Sequence, residues 1–249
     1  MSRYNSWPAF IFSVLVFFIL MYNSSTQFES FTDLNVFTTP KDSNITYSQI
    51  GQDLEVIKFY NNKKGGFFVE IGASDGIELS NTYLLETKYN WKGICCEPIP
   101  SNFEKLVKNR KNSICFSEAV YNESGLTLSF DIANNFNLLS GISDHIDCHL
   151  SFVNSNKTSI QVKTITLIDL LNTANAPSFI DYMSLDTEGS EYEILKNFDF
   201  EKYTFGLIDI EHNYIEPRRT QIKNLLLSNG YIYKGENKFD DMFVHYSLE

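Results

Sequence analysis

The sequence contains no C-x-x-C pair, no G-x-G-x-x-G run and no block of basic residues. Its four cysteines, Cys95, Cys96, Cys115 and Cys148, have no paired histidine pattern beside them, so a structural zinc site is excluded. Core thiols are the default reading, and a Cys115–Cys148 disulfide stays open. Twenty Lys and Arg against 31 Asp and Glu leave a net charge of −11, with the basic residues scattered along the chain. Such a surface repels phosphate backbones, so no nucleic-acid partner is expected. Disorder throughout is excluded by what is present instead: 43% hydrophobic residues, including 21 Phe and 14 Tyr.

Long apolar runs are also scarce. One, Trp7 to Tyr22, is apolar apart from Ser13. As a helix it would span roughly 24 Å at about 1.5 Å per residue, short for a typical bilayer but near that of thin secretory membranes. Aromatic residues at both ends suit membrane interfaces. The reading is a signal-anchor over 7–22, with a short cytosolic tail at 1–6 and a cleaved signal peptide as the alternative. Arg3 on one flank, against Glu29 and Asp33 on the other, would place the folded domain on the lumenal or extracellular side, or secrete it after cleavage. Sequons at Asn23, Asn44, Asn122 and Asn156 permit that location. Residues 23–47, rich in Ser, Thr and Asn, read as a stalk, and 48–249 as the folded domain.

Within that domain, Ser48 to Asn62 has helical spacing. Phe67 to Ile71 is a continuous apolar strand interrupted only by Glu70, running into a loop with glycines at Gly72 and Gly76. Such glycines allow close approach of backbone to a ligand. Two more strand–helix units follow: Gly93 to Glu97 with a helix at 101–110, then a strand over 113–119. Residues 134–155 are polar and irregular, the pattern of a lid or substrate loop, and His145 and His149 there, four apart, read as exposed in preference to a metal-binding pair. Phe179 to Leu185 is a strand leading to Asp186; Thr187 is a candidate N-cap, with Glu188 and Glu191 in a first helical turn. Strand 205–210 ends in Glu211 and His212, and 231–234 pairs with 242–246. Repeated β–α units of this kind predict a mostly parallel sheet with helices on both faces and ligands outside the strands' carboxyl ends.

Glu70, Asp75, Glu97, Asp186, Glu188 and Glu211 would then converge on one rim with His212 beside them. Gathered carboxylates suggest a cationic or hydroxyl-rich ligand, and a carboxylate after the second strand is where such sheets hold ribose. Asp75 would face the pyrophosphate of a dinucleotide, which argues against one.

The stretches VEIGASDGIELSNTYLLE, WKGICCEPIPSNFEKLVKNR, VKTITLIDLL, YMSLDTEGSEYEILKNF and IDIEHNY resemble the FkbM-type S-adenosylmethionine-dependent methyltransferases. The resemblance implies a Rossmann-like α/β fold with a seven-stranded methyltransferase sheet, one strand antiparallel, and S-adenosylmethionine as cofactor. It implies that Glu70, Gly72, Ala73, Asp75 and Gly76 line the methionine portion, that Glu97 binds ribose, and that Glu118 and Ala119 wall the adenine. Asp186 and Glu188 would face the transferred methyl and the acceptor. The expected reaction is methyl transfer to a hydroxyl of a glycan, lipid or small metabolite. His212 is the expected base, with Asp186 second, and no metal is assigned. The competing reading is a non-catalytic, membrane-anchored interaction module with the layout of the Star trafficking factor.

Overall fold

The computed structural model describes residues 45–249 of the chain. The expected tail, anchor and most of the stalk lie outside these residues. The single-pass membrane localisation does not stand: among the described residues no helix is long and apolar enough to cross a membrane.

Helix α1 (Gln52–Phe59) is set by Asp53, whose carboxylate accepts from Tyr47 N at 2.9 Å and Ser48 Oγ at 2.8 Å. Then follow β1 (Phe67–Ile71), α2 (Tyr83–Tyr89), β2 (Lys92–Cys96), α3 (Pro100–Asn109) and β3 (Ser113–Phe116). Pro100 opens α3, where its fixed φ and missing N–H cost nothing. Later come α5 (Leu167–Thr173), β8 (Phe179–Leu185), α6 (Glu191–Leu195), β9 (Thr204–Glu211), α7 (Arg218–Ser228), β10 (Tyr231–Asn237) and β11 (Asp240–His245). Thr166 caps α5 by accepting from Asp169 N at 3.2 Å.

These strands form a seven-stranded sheet in the order β10-β11-β9-β8-β1-β2-β3. All adjacent pairs from β9 to β3 are parallel, whereas β11 runs antiparallel to both β9 and β10. This is the expected Rossmann-like methyltransferase sheet. Its strands carry apolar residues to both faces. Val69, Ile71, Met183, Leu185, Ile208 and Ile210 pack on one side, with Leu170 and Leu171 of α5 and Leu226 of α7. Phe68, Cys95, Tyr182 and Leu207 pack on the other, with Val56 and Leu106. Each fully buried side chain of this size stabilises the fold by about 1.5–3 kcal/mol.

The region between Glu118 and Thr166 differs from expectation. The predicted strand over 113–119 breaks: β3 stays in the main sheet, while β4 (Ala119–Tyr121) joins a second sheet with β5 (Thr127–Ala133), β6 (Gly141–Ile142) and β7 (Lys157–Thr166), in the order β4-β7-β5-β6. The expected loop over 134–155 holds β6 and a short helix α4 (Leu150–Ser155). Ile99, Ala119, Phe130, Ile142 and Val162 give this sheet its own small core. All four cysteines are free thiols.

Candidate functional site

The carboxyl ends of β1, β2, β8 and β9 meet at one rim. Gly72 and Ala73 both donate to Cys96 O, at 3.1 and 2.9 Å, locking the first loop to β2. Gly72 has φ of 88°, and a Cβ there would overlap the Asp186 carbonyl. The glycine is thus required by the loop's contact with the chain after β8. Gly76 likewise meets Leu106 and Arg110 of the α3 region. Both glycines serve close packing of protein against protein.

Glu97 sits beneath that loop. One carboxylate oxygen accepts from Ser74 N at 2.9 Å and the other from Ile99 N at 2.7 Å. It is 5% exposed and its partners are neutral amides, so burial pushes its pKa up to about 7. Asp75 turns away from this point: its Oδ1 accepts from Ile77 N and Glu78 N, both at 2.9 Å, closing a local turn. Glu118 is half-buried and lines a cleft of about 420 Å³ with Pro98, Phe103 and Val162, while Ala119 is buried in the second sheet's core.

Glu70 is drawn into the fold. Its carboxylate accepts from Ser80 Oγ at 2.9 Å, Asn81 N at 2.8 Å, Thr82 Oγ1 at 2.7 Å and Arg110 NH1 at 3.0 Å. These donors occupy both oxygens, so its expected contact with a ligand is replaced by an internal ion pair. Beside it, Asn81 donates to Ser184 Oγ at 2.9 Å and leaves its own Oδ1 buried without a partner.

Past β8 the chain makes a turn with Glu188 at φ 57° and Gly189 at φ 131°. The expected N-cap at Thr187 is displaced, since α6 begins only at Glu191. The fully buried Glu191 instead folds back, and its Oε1 accepts from Thr187 N, Thr187 Oγ1 and Gly189 N at 2.9–3.0 Å. That cap leaves Glu188 free to point elsewhere. One oxygen each from Asp186, Glu188 and Glu211 lie within 4.8 Å of one another. Among the described residues no lysine or arginine makes an ion pair with any of the three. Burial together with mutual repulsion pushes Asp186 up to about 7 and holds Glu188 and Glu211 well above the usual carboxylate range. A cation placed beside the three would lower these values and favour their ionised forms.

His212 is not brought to this rim. Side chains alternate along a strand, so Glu211 facing the carboxylates turns His212 the other way. Its Nδ1 accepts from Tyr214 N at 2.9 Å, which puts the neutral ring's proton on Nε2, 3.7 Å from Asp241 Oδ1. The ring is 1% exposed, and burial holds its pKa below the ordinary value. The expected base is a buried structural residue. Arg219, bonded to both Asp241 and Glu236, supplies the positive charge on that side.

The second sheet reaches across instead. Gly141 packs against Thr187 O, and Gly189 packs so closely on His145 O that a Cβ could not fit. Arg218 fastens the two, donating to Gly189 O at 3.0 Å and bridging to Asp147. This brings His149 Nε2 to 3.9 Å from Glu188 Oε2. Sequence reasoning read His149 as exposed, because its approach to Glu188 depends on how the second sheet packs against the turn after β8.

A family model described as the methyltransferase FkbM domain matches residues 70–233. The chain belongs to the FkbM methyltransferase family. No curated protein matches it. Among solved structures, the domain is similar to precorrin-6y C5,15-methyltransferase from Geobacter metallireducens, with 11% identity over 82% of this chain and 94% of that one, at a TM-score of 0.44. A candidate RNA methyltransferase from Pyrococcus horikoshii shares 12% identity over 86% of this chain and 94% of its own, at 0.42. Fibrillarin from Aeropyrum pernix, crystallised with S-adenosyl-L-methionine, shares 12% over 74% and 66%, at 0.39.

Proposed function

We propose that this FkbM-family domain is an S-adenosylmethionine-dependent methyltransferase acting on a hydroxyl of a glycan, lipid or small metabolite. The observation that carries the reading is the trio Asp186, Glu188 and Glu211, whose two glutamates are buried, which makes no ion pair with lysine or arginine, and which meets the glycine loop where the Asp186 backbone packs on Gly72. When bound, the cofactor supplies a methyl group on a positively charged sulfur. The residues present fit it: a carboxylate field for the charge, loop amides for the methionine portion, and the Glu97 carboxyl for ribose hydroxyls. Asn81 Oδ1, buried and unpartnered, adds an acceptor for an ammonium group. The Asp186 backbone packs against Gly72, and Glu188 lies on the side toward the second sheet. The cleft of about 420 Å³ lined by Glu118 is the place for the adenine end. A net charge of −11 keeps the acceptor class away from polyanions.

Calorimetry of the full chain against S-adenosylmethionine tests the cofactor, and isotope-labelled methyl transfer to a panel of sugars, glycolipid headgroups and small alcohols tests the acceptor. Micromolar binding and label in an ether-linked methyl are expected. Absence of binding at millimolar cofactor would refute the reading and leave a non-catalytic interaction module.

A further inference from the structure

The chain has four histidines, and the structure gives them different work. His212 is buried against Tyr214 N and Asp241. His145 Nε2 is hydrogen-bonded to Tyr121 OH at 2.7 Å, and His245 Nδ1 to Ser247 Oγ at 2.8 Å. His149 alone combines access to solvent, with 29% of its side chain exposed, and a place on the carboxylate rim, 3.9 Å from Glu188. Among the described residues its imidazole has no hydrogen-bond partner. It is held there because Arg218 ties Asp147, two residues earlier, to the turn that carries Glu188.

Methyl transfer to an alcohol needs a group that takes the hydroxyl proton as the oxygen attacks. Asp186 is engaged within the trio, its carboxylate hydrogen-bonded to that of Glu211. His149 is partly exposed at the edge of the trio, beside Glu188. Resting on the cofactor assignment above, we propose that His149 is the general base of the reaction, delivered to the site by the second sheet. As the acceptor oxygen bonds to the methyl carbon, the carbon–sulfur bond breaks, its electron pair remaining on sulfur. The hydroxyl proton passes to His149 Nε2 and thence to solvent.

The groups facing His149 allow this. Glu188 is held well above the usual carboxylate range, Asp147 is paired with Arg218, and the Cys148 thiol is pushed up to about 12, so none competes as a ready base near neutral pH. Burial lowers the His149 pKa, which keeps the ring neutral and able to accept a proton.

The test is a pH titration of ring-labelled histidines in the full chain by NMR, with the His149 signal identified by its loss in His149→Asn or, if that variant does not fold, His149→Gln. S-adenosylmethionine should lower the His149 midpoint by about one unit, the effect of one positive charge within roughly 6 Å in a partly screened site. S-adenosylhomocysteine, which lacks that charge, should leave it in place. Equal shifts with both ligands, or a still His149 signal while other resonances report binding, would overturn the assignment and leave the cofactor reading intact. If neither ligand moves any resonance, the cofactor reading fails and takes this one with it. With an acceptor from the panel above, His149→Gln should keep the KM for S-adenosylmethionine, lose about a hundredfold in kcat and lose the acidic limb of the pH profile. An unchanged kcat would equally overturn it.

Discussion

Two groups of acids in this domain are almost equally hidden from water and could hardly be more different. Glu70 and Glu86 are 3% and 4% exposed, and between them lies Arg110, 1% exposed, donating to Glu70 at 3.0 Å and to Glu86 at 2.7 Å. Hydroxyls of Ser80, Thr82 and Ser113 complete the set. Glu188 and Glu211, 5% and 8% exposed, share their space with Asp186 and no arginine or lysine bridges them. A buried carboxylate is costly unless it is paired or protonated, so the first group is held by its arginine and the second by raised pKa values.

The contrast is broken most forcefully at Arg110. Arg110→Met should destabilise the domain by about 3–5 kcal/mol, read as a lower urea midpoint, because two buried carboxylates lose their counter-ion. Glu97, outside both groups, is tested through the ligand. Glu97→Ala is expected to weaken S-adenosylmethionine more than tenfold by calorimetry, the loss of a charge-assisted hydrogen bond, and unchanged affinity would refute the ribose assignment.

The acids also differ in their response to pH. Glu97 and Asp186 at about 7, and Asp240 at about 6, bind protons more tightly folded than unfolded. Their contribution is therefore full below their unfolded values of 4.5 and 3.8 and is lost as pH rises through 6 to 7. Thermal melts of the ligand-free chain should show a decline over that window, on the order of 1–3 kcal/mol. Asp186→Asn should flatten it, and saturating cofactor should do the same by stabilising the ionised form. The smallest effect belongs to an exposed pair: Lys196→Ala, which removes a surface bridge to Glu193, should leave the urea midpoint in place.

How much could be read beforehand depended on where the deciding contacts lay along the chain. β1, β2, β8 and β9 are buried on both faces, so each appears as an apolar run, and the acids that close the last three made the rim visible as Glu97, Asp186 and Glu211. The second sheet was not. Its core is five residues drawn from 99 to 162, and the ten-residue strand β7 is mostly polar because one face meets solvent. His212 was misplaced, although the alternation after Glu211 held the clue that both side chains could not face the same way.

Local residue order thus determined the parallel sheet, its glycine loop and the family to which the chain belongs, because those follow from patterns a few residues long. Tertiary structure alone decided which acids are satisfied. Arg110 lies 40 residues beyond Glu70, and His149 lies 39 before Glu188. Whether a buried charge is paired depends on what folding brings beside it, and spacing along the chain carries no record of that.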